Sequence, residues 1–174
     1  EPPDLDPIKI IDLTSFNVVL NLMRGLVQFD ATGTLAPAMA ERWEKSRDGL
    51  RYVFYLRRDA RWSDGKPVTA PQFVDGWQRA LDPQQGAEYA FFLFELKNGR
   101  AYYEGKLKDF GQVGVRAVDD HTLAVRLERP VAYFLDLMAA PIALPIRLDL
   151  IQKHGDRFTE AGRFLSNGPY VLDQ

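Results

Sequence analysis

The chain has 174 residues, of which 46% are hydrophobic, 12% aromatic and 26% charged, enough apolar surface to build one compact domain or one lobe of a larger protein and too much for disorder. Lysine and arginine total 22 against 24 aspartates and glutamates, so a net charge of -2 supplies no basic field for a nucleic acid. The absence of cysteine removes a disulfide framework, a thiolate zinc site and a cysteine nucleophile, and His121 and His154 lack the short spacing of a helix-borne metal site.

The longest apolar run, 131–146, is broken by Asp136, Pro141 and Pro145, so no bilayer span is expected and the chain reads as soluble. EPPDLDP at the start lacks the basic and apolar regions of a signal peptide, so a signal was either removed or never there. NGPYVLDQ at the other end stops where a strand pattern begins, as in a cut fragment.

From Phe16, the residues Val19, Leu20, Met23, Leu26 and Val27 recur at helical spacing, predicting a helix of about three turns with Thr14 or Ser15 as its cap. ATGT at 31–34 is a turn, a strand passes through Arg42-Trp43-Glu44, and Arg47-Asp48-Gly49 turns again. RYVFYLRR at 51–58 alternates Tyr52, Phe54 and Leu56 against Val53 and Tyr55, which predicts the second strand of a hairpin. After the loop Ser63–Pro67, Thr69 and Gln72 form a capping-box pair and Pro71 fits the first turn. The stripe Phe73, Trp77, Ala80 and Leu81 then predicts a helix ended by Asp82-Pro83.

Residues 84–110 gather Tyr89, Phe91, Phe92, Phe94, Tyr102 and Tyr103 with helical periodicity interrupted at Asn98-Gly99 and Gly105. VGVRAV and HTLAVRL form a second hairpin around Asp119-Asp120, with Val113, Val115, Leu123, Val125 and Leu127 inward. Pro130 opens a short helix through Tyr133, Phe134, Leu137 and Met138 that Pro141 stops, and Asp149 caps a last helix running to Gly155. Strands that come as hairpins rather than βαβ units indicate an α+β fold of antiparallel strands with packed helices.

Asp64 beside Trp62 has the look of a general acid against an apolar wall, but Asp-Gly is above all a turn and no second carboxylate has a derivable place opposite it. Ser63 and Ser166 lack a nucleophile setting, and Gly111-Gln112-Val113-Gly114 lacks the lysine of a phosphate loop. The aromatics from Tyr89 to Tyr103 are mainly core by composition, although a tyrosine at a lobe edge can meet a ligand through its face and hydroxyl. No catalytic residue, metal site or cofactor is predicted, and binding outranks catalysis. A hydrolase using Asp64 and a purely structural or interaction module are the alternatives of another class.

In order along the chain, EPPDLDP, LMRGLVQFD, the central run LAPAMAERWEKSRDGLRYVFYLRRDARWSDGKPVTAPQFVDGWQRALDP, DDHTLAVRLERPVAYFLDLMA and SNGPYVL resemble the extracellular solute-binding proteins of ABC importers, oligopeptide- and dipeptide-binding family. The resemblance covers essentially the whole chain and implies the small lobe of a two-lobed, type II-like periplasmic binding protein. By it, residues 24–148 are the small lobe, 1–23 a flank of the large ligand-binding lobe, and 149–174 a truncated return into that lobe. It further implies capture of short peptides for delivery to an ABC permease, from a periplasmic or extracellular site with a possible lipid anchor, and a monomeric fragment. Ile11, Asp12 and Leu13 fall on the family segment that pairs by backbone with the bound peptide, and Tyr89 matches a tyrosine lining the peptide cavity. The family's acidic partner for the peptide amino group lies in the other lobe, and Ile11 stands where relatives can carry an acid. Similar scaffolds carry nickel chelates, heme or oligosaccharides, so other cargo is the alternative within the family. By this resemblance, 61–81 is bracing, with Trp62 and Trp77 buried.

Overall fold

Asp12, not Thr14 or Ser15, caps the first helix in the computed structural model, which describes residues 2–172. Its Oδ1 accepts the Ser15 N–H at 2.9 Å, and the helix runs Leu13–Leu22 (α1). The start lies earlier than expected because the apolar stripe identifies only the buried face, whereas Leu13 is helical and exposed.

Val27–Phe29 (β1) and Leu35–Pro37 (β2) pair as a small antiparallel hairpin. Asp30 closes it, its Oδ1 accepting the N–H groups of Thr32 and Thr34. The turn was legible but the strands were not, since three residues are too few for alternation to register.

The main sheet contains Ala40–Lys45 (β3), Arg51–Leu56 (β4), Val115–Asp119 (β5) and Thr122–Arg126 (β6), in the order β3-β4-β6-β5, all neighbours antiparallel. Its inner face carries Tyr52, Phe54 and Leu56 beside Leu123 and Val125, all buried, while Val53 and Tyr55 are half-buried on the other face. Gly114 lets the chain close against the sheet: a Cβ there would lie 2.0 Å from the Arg126 carbonyl oxygen.

Ala70–Leu81 (α2) lies across β5 and β6, with Phe73, Trp77, Ala80 and Leu81 fully buried. Gln72 Oε1 accepts both the Thr69 N–H and the Trp62 indole N–H, each at 2.9 Å, so one side chain caps the helix and seats the preceding loop. The aromatic segment divides into a 3₁₀ stretch, Ala90–Glu95, and a short helix, Gly99–Tyr103 (α3), separated by Asn98 in the left-handed region at φ 61°.

Phe134–Leu137 (α4), a 3₁₀ turn Pro141–Ala143 and Leu148–His154 (α5) complete the order up to a last 3₁₀ stretch, Gly155–Thr159. Arg147, not Asp149, occupies the cap position of α5; the Asp149 carboxylate is instead held bidentate by Arg147 Nε and a terminal nitrogen at 2.8 and 2.7 Å. The expected strand start at NGPYVL is absent among the described residues, and Asp173 and Gln174 lie outside them. Asn167 there clasps Arg24, accepting its N–H and donating to its carbonyl at 2.9 and 3.0 Å. Leu5, Ile8, Ile10 and Phe164 from the two flanks join the same apolar core as the sheet and α2. Among the described residues, no helix is long and apolar enough to cross a membrane.

Candidate ligand cleft

The segment before α1 is anchored by a buried ion pair. Asp6, 2% exposed, receives both terminal nitrogens of Arg79 at 2.7 Å, tying the turn over residues 6–9 to the last turn of α2. Lys9 N–H donates to the Asp6 carbonyl at 2.8 Å, and the chain then runs extended into the Asp12 cap. Ile11 is thereby held outward, 62% exposed, between a buried Ile10 and the helix start. Among the described residues, no hydrogen-bond partner engages the Ile11 N–H or C=O.

Facing this segment is the aromatic stretch. Tyr89 precedes the 3₁₀ turn and its carbonyl accepts the Phe92 N–H at 3.1 Å. Its ring lies 5.7 Å from Phe92 and 5.9 Å from Phe91, and the last two meet edge to face at 4.8 Å. The floor comes from Ala140, Pro141 and Ile142, and Trp77 pins that turn by donating its indole N–H to the Ala143 carbonyl at 3.0 Å.

Together these parts enclose a cleft of about 250 Å³. Ile11, Asp12, Leu13 and Tyr89 all line it, so the four residues singled out from the sequence converge on one place. Pro7, Ile10, Phe16, Phe92 and the Ala140–Ile142 turn complete the wall and were not foreseen. Nor were Asp6 and Arg79, which lie 73 positions apart and carry no local signal of their pairing.

Asp12 spends one carboxylate oxygen on its own helix, and the Ser15 backbone N–H that it accepts there holds its carboxyl below the usual range. Apart from the Tyr89 hydroxyl and the main chain along the rim, the side chains of the wall are hydrocarbon or aromatic ring. The aromatic cluster thus divides: Tyr89 and Phe91 are exposed, whereas Phe92, Phe94, Tyr102 and Tyr103 pack against the core, and of the six Tyr89 and Phe92 line the cleft.

Asp64 has a different occupation. Burial pushes its carboxyl up, but the hydrogen bond from Arg147 at 2.8 Å, the Lys66 N–H and the two cations outweigh that, and it settles below the ordinary carboxylate range. A general acid needs the opposite shift, so the acid reading of Asp64 fails on its chemistry. Trp62, 3% exposed, lies under the Arg147 guanidinium at 5.8 Å, and the span 61–81 is bracing.

An α+β unit that presents an open apolar wall with an unpaired main-chain segment along its rim has the features of a ligand-binding surface. The chain belongs to the bacterial extracellular solute-binding proteins, family 5, whose "Middle" model matches residues 34–174. Among curated relatives, it is 44% identical to the probable deoxycholate-binding periplasmic protein YgiS of Escherichia coli over 100% of this chain and 33% of that one. It is 41% identical to the periplasmic oligopeptide-binding protein OppA of the same species over 99% of this chain and 32% of that one. The substrate-binding domain of an oligopeptide ABC transporter from Bacillus anthracis overlays with a TM-score of 0.95 at 43% identity, over 98% of this chain and 33% of that one. The chain therefore spans about a third of the length of these relatives. The structural neighbours are two-lobed periplasmic binding proteins, in agreement with the α+β lobe expected from the hairpins.

Proposed function

We propose that this chain supplies one wall of a peptide-binding cleft in a protein that captures short peptides and delivers them to an ABC permease. In this reading, residues 24–148 are the small lobe, 1–23 and 149–174 belong to the large lobe, and hinge closure against a second lobe completes the cavity. The observation that carries the reading is the free main chain of Ile11, exposed on the rim of a cleft that Tyr89 also lines. An extended peptide laid along residues 11–13 gains main-chain hydrogen bonds whatever its side chains, the mode that suits a carrier of many sequences. The site of action is periplasmic or extracellular, with or without a lipid anchor, and the isolated fragment is a monomer.

A second reading within the family takes a non-peptide amphiphile as cargo. It is favoured by the apolar lining of the cleft and by the relative named as a probable deoxycholate-binding protein. An apolar wall offers few partners to a sugar or a nickel chelate, so those cargoes fit less well.

Calorimetry separates these possibilities. The intact protein should bind a mixed tri- to pentapeptide pool in the micromolar range, and residues 1–174 alone should show little or no binding because one wall leaves the ligand half in water. Binding of deoxycholate but no peptide by the intact protein moves the assignment to the amphiphile. Micromolar peptide binding by residues 1–174 alone refutes the two-lobe mechanism.

A further inference from the structure

We propose that the cleft beside Ile11 accepts a bulky, uncharged apolar group of the ligand and that Ile11 sets this preference. The inference rests on the peptide reading for the kind of ligand and goes beyond it in naming the side-chain class that the wall selects.

Of the eleven lining residues, Asp12 alone carries a charge, and its Oδ1 is committed to the Ser15 N–H. A cationic or anionic side chain entering here loses water against Pro7, Ile10, Phe16, Phe92 and Ile142 and meets little that replaces it. An apolar side chain meets the opposite balance, releasing water from its own surface and from the wall.

The rim points the same way. Ile11 is 62% and Leu13 73% exposed, and Tyr89 and Phe91 are also among the large hydrophobics left in water. Single exposed apolar residues are ordinary on a surface; three of these, Ile11, Leu13 and Tyr89, grouped around one concavity mark a place that is covered when occupied. The hollow on this wall is small. The volume of about 250 Å³ falls below the roughly 300–1,000 Å³ of pockets that enclose a whole small-molecule ligand. It suits one large side chain, or two smaller ones, of a ligand whose main chain runs outside along residues 11–13.

Ile11 is the position at which this preference is decided, because among the described residues that line the cleft it combines a backbone without a hydrogen-bond partner with a side chain on the rim. An acidic side chain there would put an uncommitted carboxylate beside the entering group and reverse the choice. Since Ile11 is exposed and makes no backbone bond, Ile11→Glu leaves the core and the α1 cap untouched.

The test is calorimetry on the intact protein with alanine tripeptides in which Leu, Phe, Lys or Glu is placed in turn at each position. At one position Leu and Phe should bind at least about tenfold more tightly than Ala, Lys and Glu, the discrimination available to an apolar pocket. In Ile11→Glu, Lys at that same position should gain on Leu, read as a reversal of the Leu-to-Lys affinity ratio within the variant. Equal binding of Leu, Lys and Glu at every position, or an unchanged profile in Ile11→Glu, overturns the apolar preference while leaving peptide binding intact. If no tripeptide binds, dodecanoate is the deciding probe: binding that Ile11→Glu weakens retains the apolar preference and removes the peptide reading, and no binding removes both.

Discussion

Trp77 does two jobs with one ring. Its indole is fully buried under the sheet and its N–H meets the Ala143 carbonyl, so the residue both fills the core and fixes the turn that floors the cleft. Truncation to alanine opens a large cavity and orphans a buried carbonyl, and the expected loss is about 3–5 kcal/mol in urea unfolding. Phenylalanine at the same position keeps most of the volume and loses only the hydrogen bond, so Trp77→Phe should cost about 1–3 kcal/mol. A Trp77→Phe variant as stable as the parent would show that the Ala143 bond contributes nothing beyond packing, and equal losses in the two variants would put the whole effect on that bond. Trp62 differs in kind: its N–H goes to Gln72 and its face to Arg147, so it couples a loop to two partners instead of filling the centre.

At the scale of elements, the start of α2 depends on Gln72 Oε1, which serves the Thr69 N–H and the Trp62 N–H together. Gln72→Ala leaves both donors without this acceptor and should cost about 1–3 kcal/mol, read as a lower urea midpoint at unchanged slope. Gln72→Glu retains an acceptor oxygen and should stay near the parent; a loss as large as that of alanine would argue against the shared-acceptor account. This cap was legible because its residues lie within one helical turn. The hairpins β3-β4 and β5-β6 were legible for the same reason, with alternation naming the inner faces Tyr52, Phe54, Leu56 and Leu123, Val125. Tyr89 and the 11–13 segment came from family likeness, since spacing alone gives no reason to bring positions 11 and 89 together. The α1 cap was misplaced because three oxygen-bearing residues, Asp12, Thr14 and Ser15, compete within four positions and only the backbone geometry decides among them. The Asp6–Arg79 pair was out of reach for a reason of the same kind: charge complementarity across 73 positions has no local signature.

For the molecule as a whole, what joins the two flanks to the centre is partly apolar and partly ionic. The apolar part is the common core reached by Leu5, Ile8, Ile10 and Phe164. The ionic part includes Arg147, 7% exposed, which grips Asp149 at the start of α5 and Asp64 in the loop before α2. The guanidinium is bound hardest by Asp149, and its own titration is driven up out of reach, so the carboxylates alone respond to pH. Arg147 hydrogen bonding takes the Asp149 carboxyl from its ordinary 3.8 to about 2. Because the folded value lies below the unfolded one, the stabilisation is complete above pH about 4 and disappears as the pH falls toward 2. Asp64, lowered less strongly, adds to the loss in the same direction. Asp149 is half exposed, so screening keeps its contribution to about 1 kcal/mol or less. Urea unfolding at pH 6, 4, 3 and 2 should therefore find parent and Asp149→Asn converging as acid is added, with the parent ahead only at the higher pH values. A difference that stays constant across the series would mean that Asp149 acts through packing, and α5 would then be held to the loop by shape instead of charge.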